Sequence, residues 1–263
     1  MNKKKEIKYL DKHWKKMQNS LKSFMKTDDK EYLHVLRVEV KKLRAMLTLI
    51  ETVTHNKQLS KLFKPVRRIF KHAGEIRNSQ MNLELAHEYH LHNDVFENSQ
   101  RDTMAQCAEE FKLKAPKYLK QLKKSRTRIK ASLAGLKDKS VVSFYKKQLK
   151  QIASSLAIPH FDDALHDCRK QLKVLMYNHK LTGSALTHRL GFNLPYINDL
   201  QSNIGDWHDH VLALQLFDSP DVNSQPVVNK IKKQNHKTEQ SITALSRDFL
   251  TRATAPDADE NKE

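Results

Sequence analysis

Apolar residues return every third or fourth position along almost the whole chain. Leu59, Leu62, Phe63, Val66, Ile69, Phe70 and Ala73 are one such run, and a helix of 3.6 residues per turn places them on one side. The same reading predicts helices near 4–24, 28–54, 57–73, 78–96 and 101–136, then near 140–157, 161–182, 192–204, 206–217 and 226–251. Breaks are expected at 27–29, 74, 93–99, 135, 159, 183, 205 and 219–220. Asp28 reads as an N-cap with Glu31 as its capping-box partner. Gly74 and Gly205 read as left-handed helix ends. Asn78 and Asp209 would then cap the following helices, whose first N–H groups would suit an anion.

The pattern also repeats. His34-Val-Leu-Arg37-Val-Glu-Val-Lys41 matches His166-Asp-Cys-Arg169-Lys-Gln-Leu-Lys173 at an offset of 132. Gly74-Glu-Ile-Arg77-Asn78 matches Gly205-Asp-Trp-His208-Asp209 at an offset of 131. Two matches at nearly one offset imply two helical repeats, 1–136 and 137–252, followed by a disordered acidic tail at 253–263. The fold class expected is all-α: two antiparallel helical bundles related by an internal pseudo-two-fold duplication. Only 5 Gly and 7 Pro occur in 263 residues, too few turn-formers for a sandwich or barrel.

Charge narrows the function. Lys and Arg number 48 and Asp and Glu 30, a net charge of +18 with 14 His in addition. Such a chain calls for an anionic partner: nucleic acid, an anionic membrane surface or another polyanion. Residues 1–136 hold 31 Lys/Arg against 15 Asp/Glu, a net +16; residues 137–263 hold 17 against 15, a net +2. Anion binding is therefore expected mainly in the first repeat. Cys107 and Cys168 are too few and too far apart for a disulfide framework or zinc ribbon. They read as reduced thiols of a cytoplasmic protein. The basic N-terminal segment lacks the apolar stretch of a secretory signal, and no run approaches the roughly 18 apolar residues of a membrane span.

The densest candidate chemistry lies between Glu31 and Ile50. At about 100° per residue, His34, Arg37, Lys41 and Arg44 fall within about 80° of one another, with Lys42 on the flank. Leu33, Leu36, Val40, Leu43, Leu47 and Ile50 take the other side. The row runs about 15 Å along the axis, a pitch at which cations can follow a string of phosphates. Arg supplies forked donors and Lys a mobile point charge. Glu39 is the only acid between Arg37 and Ile50, and it points away from the row. The row is expected to face outward, so that its residues can be replaced without disturbing the core. His34, gaining charge below neutrality, would tune it.

The second copy places His166, Arg169, Lys173, Tyr177 and Lys180 on one side. Val174 and Met176 stand where the first copy has Lys42 and Arg44. Lys57, Lys61, Lys64, Arg68 and Lys71 follow at helical spacing on the next helix, and Arg77 lies just beyond Gly74. The segment from Lys112 to Lys130 carries nine Lys/Arg and reads as a solubilising surface. His87, His90 and His92 form a local cluster, but no Cys or carboxylate completes a metal set around them. The chain contains no GxSxG, P-loop or GxGxxG and no convincing carboxylate dyad. Aromatics fall at core spacing rather than as a base-stacking platform.

The run His34-x-x-Arg37-Val-x-x-Lys41-Lys42-Leu-Arg44, the Gly74-x-x-Arg77-Asn78 segment and their second copies resemble the conserved histidine α-helical domain, CHAD. The resemblance spans residues 10 to 250. It implies two four-helix-type bundles and a basic central surface that binds inorganic polyphosphate. With no metal set or nucleophile constellation in the chain, binding without catalysis or a cofactor is the expectation. Stand-alone members of this kind are associated with polyphosphate granules. The residues that carry over are His34, Arg37, Lys41, Lys42, Arg44, Arg68, Lys71 and Arg77, with His166, Arg169, Lys173 and Tyr177 in the second copy. Asn78 departs from the family's usual Asp, and Val174, Met176 and Asp199 deplete the second half-site of charge. A nucleic-acid-binding or granule-coating protein using the same basic face is the alternative, although no helix-turn-helix or aromatic RNA platform supports it. The Glu-x-Glu-x-Lys strand of triphosphate tunnel enzymes, often fused to this domain, is absent.

Overall fold

The computed structural model describes residues 2–187, 189–220 and 222–255. The described residues are helical, without a strand. They divide into two compact units, Asn2–Gly135 and a second that begins at Leu136.

In the first unit, α1 (Lys3–Thr27), α2 (Glu31–Thr54), α4 (Lys64–Glu88) and α5 (Asp94–Ala131) form a ring of four, with the short α3 (Gln58–Leu62) between α2 and α4. Each long helix packs on two others: α1 on α2, α2 on α4, α4 on α5 and α5 back on α1. The helices supply a core that includes Leu10, Trp14, Phe24, Leu36, Leu43, Phe63, Ile69 and Phe111. Polar contacts set the register. Asp11 accepts from Arg126 and Lys130, while Asp28 pairs with Lys112 at 2.7 Å, so α1 and α5 run antiparallel. Gly135 closes the unit at φ +87°, a region open to glycine, and its N–H donates to Glu6 Oε2.

In the second unit, α6 (Asp138–Leu156), α7 (Asp163–Leu186), α8 (Leu194–Phe217) and α9 (Gln225–Ser246) pack in sequence, and α10 (Phe249–Thr254) lies on α6 and α8. The Tyr145 hydroxyl is buried between helices, donating to the Leu175 carbonyl at 2.9 Å beside Thr182 Oγ1. Tyr196 ties α8 to the end of α9 through the Leu245 carbonyl. Burial pushes the Cys168 thiol up to about 12, and Cys107 is also a free thiol.

Several expected breaks are absent. Gly74, Gly183 and Gly205 lie inside α4, α7 and α8. Asn78 and Asp209 therefore cap nothing, and their backbones offer no open helix start. Conversely, the helix expected over 57–73 is split at Phe63. Pro65 sits in the first turn of α4, where its missing N–H costs no intrahelical bond. The Lys57, Lys61, Lys64, Arg68, Lys71 row is broken there. Asp28 is the left-handed C-cap of α1, not the N-cap of α2, and Asp29 accepts from the Glu31 N–H instead. The helix expected over 226–251 turns at Arg247 and left-handed Asp248 into α10. Ala253, assigned to the tail, is buried in α10; residues 256–263 lie outside the described residues.

Candidate functional site

The leucine stripe of α2 seats the helix in the first unit. Leu33, Leu36, Val40, Leu43, Leu47 and Ile50 are all buried. This leaves His34, Lys41 and Arg44 exposed on the other side, and Arg37 half-buried among them.

Arg37 is a tie between helices. Its Nη1 donates to the Phe70 carbonyl of α4 at 2.8 Å, and its guanidinium carbon sits 4.1 Å over the Phe70 ring. A Cβ at position 74 would collide with Nη1. Gly74 is thus a notch in α4 that receives the arginine, one turn beyond the carbonyl it binds. Burial, and then the neighbouring charge of Arg77, lowers the Arg37 pKa, though guanidinium remains charged at any physiological pH. The expectation that Arg37 stands free on the surface is therefore corrected.

Arg77 completes this end of the α2–α4 contact. It is half-buried and pairs with Glu84 about two turns along α4, at 2.9 Å. The two guanidinium groups are near enough for Arg77 to disfavour the charge on Arg37, and Arg77 has a carboxylate partner in Glu84. An anion beside them would relieve that repulsion.

Lys42 is committed elsewhere. Glu39 is buried, with Lys42 Nζ 2.8 Å from Oε1 and His13 Nδ1 donating to Oε2 at 2.5 Å. Burial would raise the Glu39 carboxyl, but the hydrogen bonds and charges of His13 and Lys42 outweigh it and hold the pKa below the ordinary value. Glu39 does face away from the row, as its position implied, and it draws Lys42 with it. On α4, Arg68 and Lys71 are exposed. Neither makes an ion pair among the described residues.

The second unit repeats the tie. Arg169 Nε donates to the Gln201 carbonyl at 3.1 Å, and a Cβ at Gly205 would come within 2.8 Å of the Arg169 Cζ. Around it the chemistry changes. His166 is half-buried and stacks on His208 at 4.0 Å between centroids and 23° between planes. Its Nδ1 is buried without a hydrogen-bond partner. Burial first, then the charges of His208, Lys170 and Arg169, lower its pKa against the opposing pull of Asp167. Lys173 and Tyr177 are half-buried on the same helix. Asp199 is exposed and accepts from Asn203.

The structure therefore brings Arg37 and Arg77 together, and Arg169, His166 and His208 together. It places His34, Lys41, Arg44, Arg68 and Lys71 as exposed groups on α2 and α4. The sequence missed the notch role of both glycines. The nearly equal spacing of Arg37–Gly74 and Arg169–Gly205, 37 and 36 residues, was the signal that could have shown it. His87, His90 and His92 sit with Glu97 and Arg101 around a cleft of about 300 Å³ at the α4–α5 turn.

A search of curated proteins finds no match. Among solved structures, the crystal structure of the CHAD domain from the plant Ricinus communis is similar over 96% of this chain and 90% of its own, with a TM-score of 0.63 at 15% identity. That similarity speaks for the fold. The CHAD domain family model matches residues 8–218, which include every arginine tie, both notches and all the cations described above, and the chain belongs to the CHAD domain family.

Proposed function

We propose that the protein binds inorganic polyphosphate without turning it over. The observation that carries this reading is the α2 row. His34, Lys41 and Arg44 are exposed on one face of α2, near Arg37; the acid of that helix segment, Glu39, is buried and already bound to Lys42 and His13, and Glu84 on α4 pairs with Arg77. A face with that composition offers charge and hydrogen-bond donors to a linear anion. The fixed guanidinium of Arg37 costs little further ordering on binding, and the exposed lysines adapt to a flexible chain. Affinity would come from charge contacts and counterion release, with little selectivity for anything but phosphate density. Family membership supports the same ligand class. No helix among the described residues is long and apolar enough to cross a membrane. A cytoplasmic protein that gathers on polyphosphate granules is the setting this reading implies.

The test is competition. Long-chain polyphosphate and duplex DNA are titrated at equal phosphate concentration and physiological salt, with phosphate release monitored in parallel. The expected result is preferential polyphosphate binding, weakening steeply with salt, and no release. Preference for DNA would move the reading to nucleic acid, and protein-dependent release of phosphate would make the protein an enzyme.

A further inference from the structure

The long helix α5 carries a second concentration of positive charge. From Phe111 to Lys137 there is no Asp or Glu. Its cations fall into two groups. Lys112, Lys114, Arg126 and Lys130 are paired, with Asp28, Glu110, Asp11 and Asp11 respectively. Lys117, Lys120, Lys123, Lys124 and Arg128 are exposed and make no ion pair among the described residues.

The division follows the helix faces. Phe111, Ala115, Tyr118, Leu122, Ser125 and Ile129 are buried. At about 100° per residue, Lys117, Lys120, Lys124 and Arg128 fall within about 80° of one another on the opposite side. Arg126 and Lys130 lie at the edge toward α1, where Asp11 reaches them. The unpaired stripe runs about 16 Å along the axis. Lys120, Lys123, Lys124, Thr127 and Arg128 line an open groove of about 410 Å³ on it. Because the ring order is α1–α2–α4–α5, α5 stands diagonally across the bundle from α2. The α2 row and the α5 stripe thus lie on helices that are not neighbours in the ring, with α4 and its Arg68 and Lys71 packed between them.

We propose that the outer face of α5 is a second docking surface for a linear inorganic polyphosphate chain, making the protein bivalent for that polymer. The inference rests on the polyphosphate reading and extends it. An acid-free row with one rung about every 6 Å suits a flexible single chain lying in the groove. The groove lining has no aromatic, Asn or Gln with which to stack on or read bases. Bivalence would let one long chain join two protein molecules, and would raise avidity for long chains over short ones without any new contact type.

The test counts sites on the full-length protein by calorimetry, using polyphosphate short enough to cover one stripe. The α5 variant is Lys120→Ala, Lys123→Ala, Lys124→Ala, Arg128→Ala. The row variant is Lys41→Ala, Arg44→Ala, Arg68→Ala. A control, Lys139→Ala, Lys146→Ala, Lys147→Ala, Lys150→Ala, removes as much charge as the α5 variant from another exposed surface. Circular dichroism checks that helicity is retained. The expected result is one bound chain fewer for the α5 variant, one fewer for the row variant and no change in number for the control. Turbidity with long polyphosphate should be lost in the α5 variant. An unchanged count and unchanged turbidity in that variant would overturn the second surface while leaving the first intact. The same loss in the control would reduce both effects to net charge. Loss of duplex DNA binding alone would assign the face to nucleic acid. A parent protein that binds no polyphosphate would fail the underlying reading itself.

Discussion

The two units hold the same arginine tie and surround it differently. In the first, Arg37 sits beside Arg77, with exposed Lys41 and Arg44 along the helix. In the second, Arg169 sits near His166 stacked on His208, and Val174 and Met176 replace the cations. The retained element is the one that joins two helices, and the varied elements are the ones that face an anion. A packing contact buried between helices is constrained by steric fit on every side. A surface charge changes stability little when lost, so a half-site can be depleted while its scaffold persists. The net charges of +16 and +2 follow that division.

The strongest test of the comparison is to exchange the charges. Lys41→Ala with Arg44→Ala should weaken polyphosphate binding roughly a hundredfold, at about 1–1.5 kcal/mol per lost charge-assisted contact. Lys173→Ala with Lys180→Ala should cost less than about fivefold. Val174→Lys with Met176→Arg should tighten binding by about five- to tenfold if the second helix presents the same face. Fluorescence titrations at one salt concentration compare the three. Equal losses from the two helices would erase the distinction drawn between the units.

The next effect concerns the shared tie. Alanine in place of glycine inside a helix ordinarily stabilises by about 0.5–1 kcal/mol. Gly205→Ala should instead destabilise by about 1 kcal/mol, because the methyl displaces the Arg169 guanidinium from the Gln201 carbonyl. In an Arg169→Ala background the same change should recover the ordinary gain. Gly74→Ala should show the same reversal, more weakly, since its Cβ meets the movable tip of Arg37 rather than the inner guanidinium. Urea unfolding arranged as a double-mutant cycle reads the sign. Additive changes would mean that the notch is incidental.

The smallest expected effect is on pH. His166 is held below the ordinary histidine value, chiefly by burial. The unfolded ring takes its proton near about pH 6.5, and the folded ring does so lower. Between those points the unfolded chain binds more protons, so stability declines as pH falls through that window. His72, lowered mainly by burial and then by Lys114, contributes with the same sign in the first unit. Melting temperatures at about pH 7.5 and about pH 5.5 should differ less for His166→Gln than for the parent. An unchanged difference would show that His166 does not contribute to the acid-side loss.

Much of the architecture was legible along the chain because helix packing is written in local periodicity. The leucine stripe of α2 is buried where its spacing put it, and His34, Lys41 and Arg44 are exposed opposite it. The Gly135 break follows from a backbone conformation that favours glycine. These features depend on residues within a few turns of one another. The misread positions depend on partners far away. Gly74 and Gly205 look like helix ends because their intrinsic helix penalty is about 1 kcal/mol. An arginine from a neighbouring helix fills the space where their side chains would be, and the tertiary contact overrides the local preference. Arg37 looks like a free cation for the same reason, since the Phe70 carbonyl that holds it comes from α4; the partner of Lys42, Glu39, is only three residues back on α2, but His13 of α1 is the distant group that holds that buried carboxylate. Periodicity and composition determined an all-helical, basic protein and which helix bears its densest row of cations. Only the packed structure decided which cations are ties and which remain open to an anion, because a charge is free or engaged according to what lies across the helix interface.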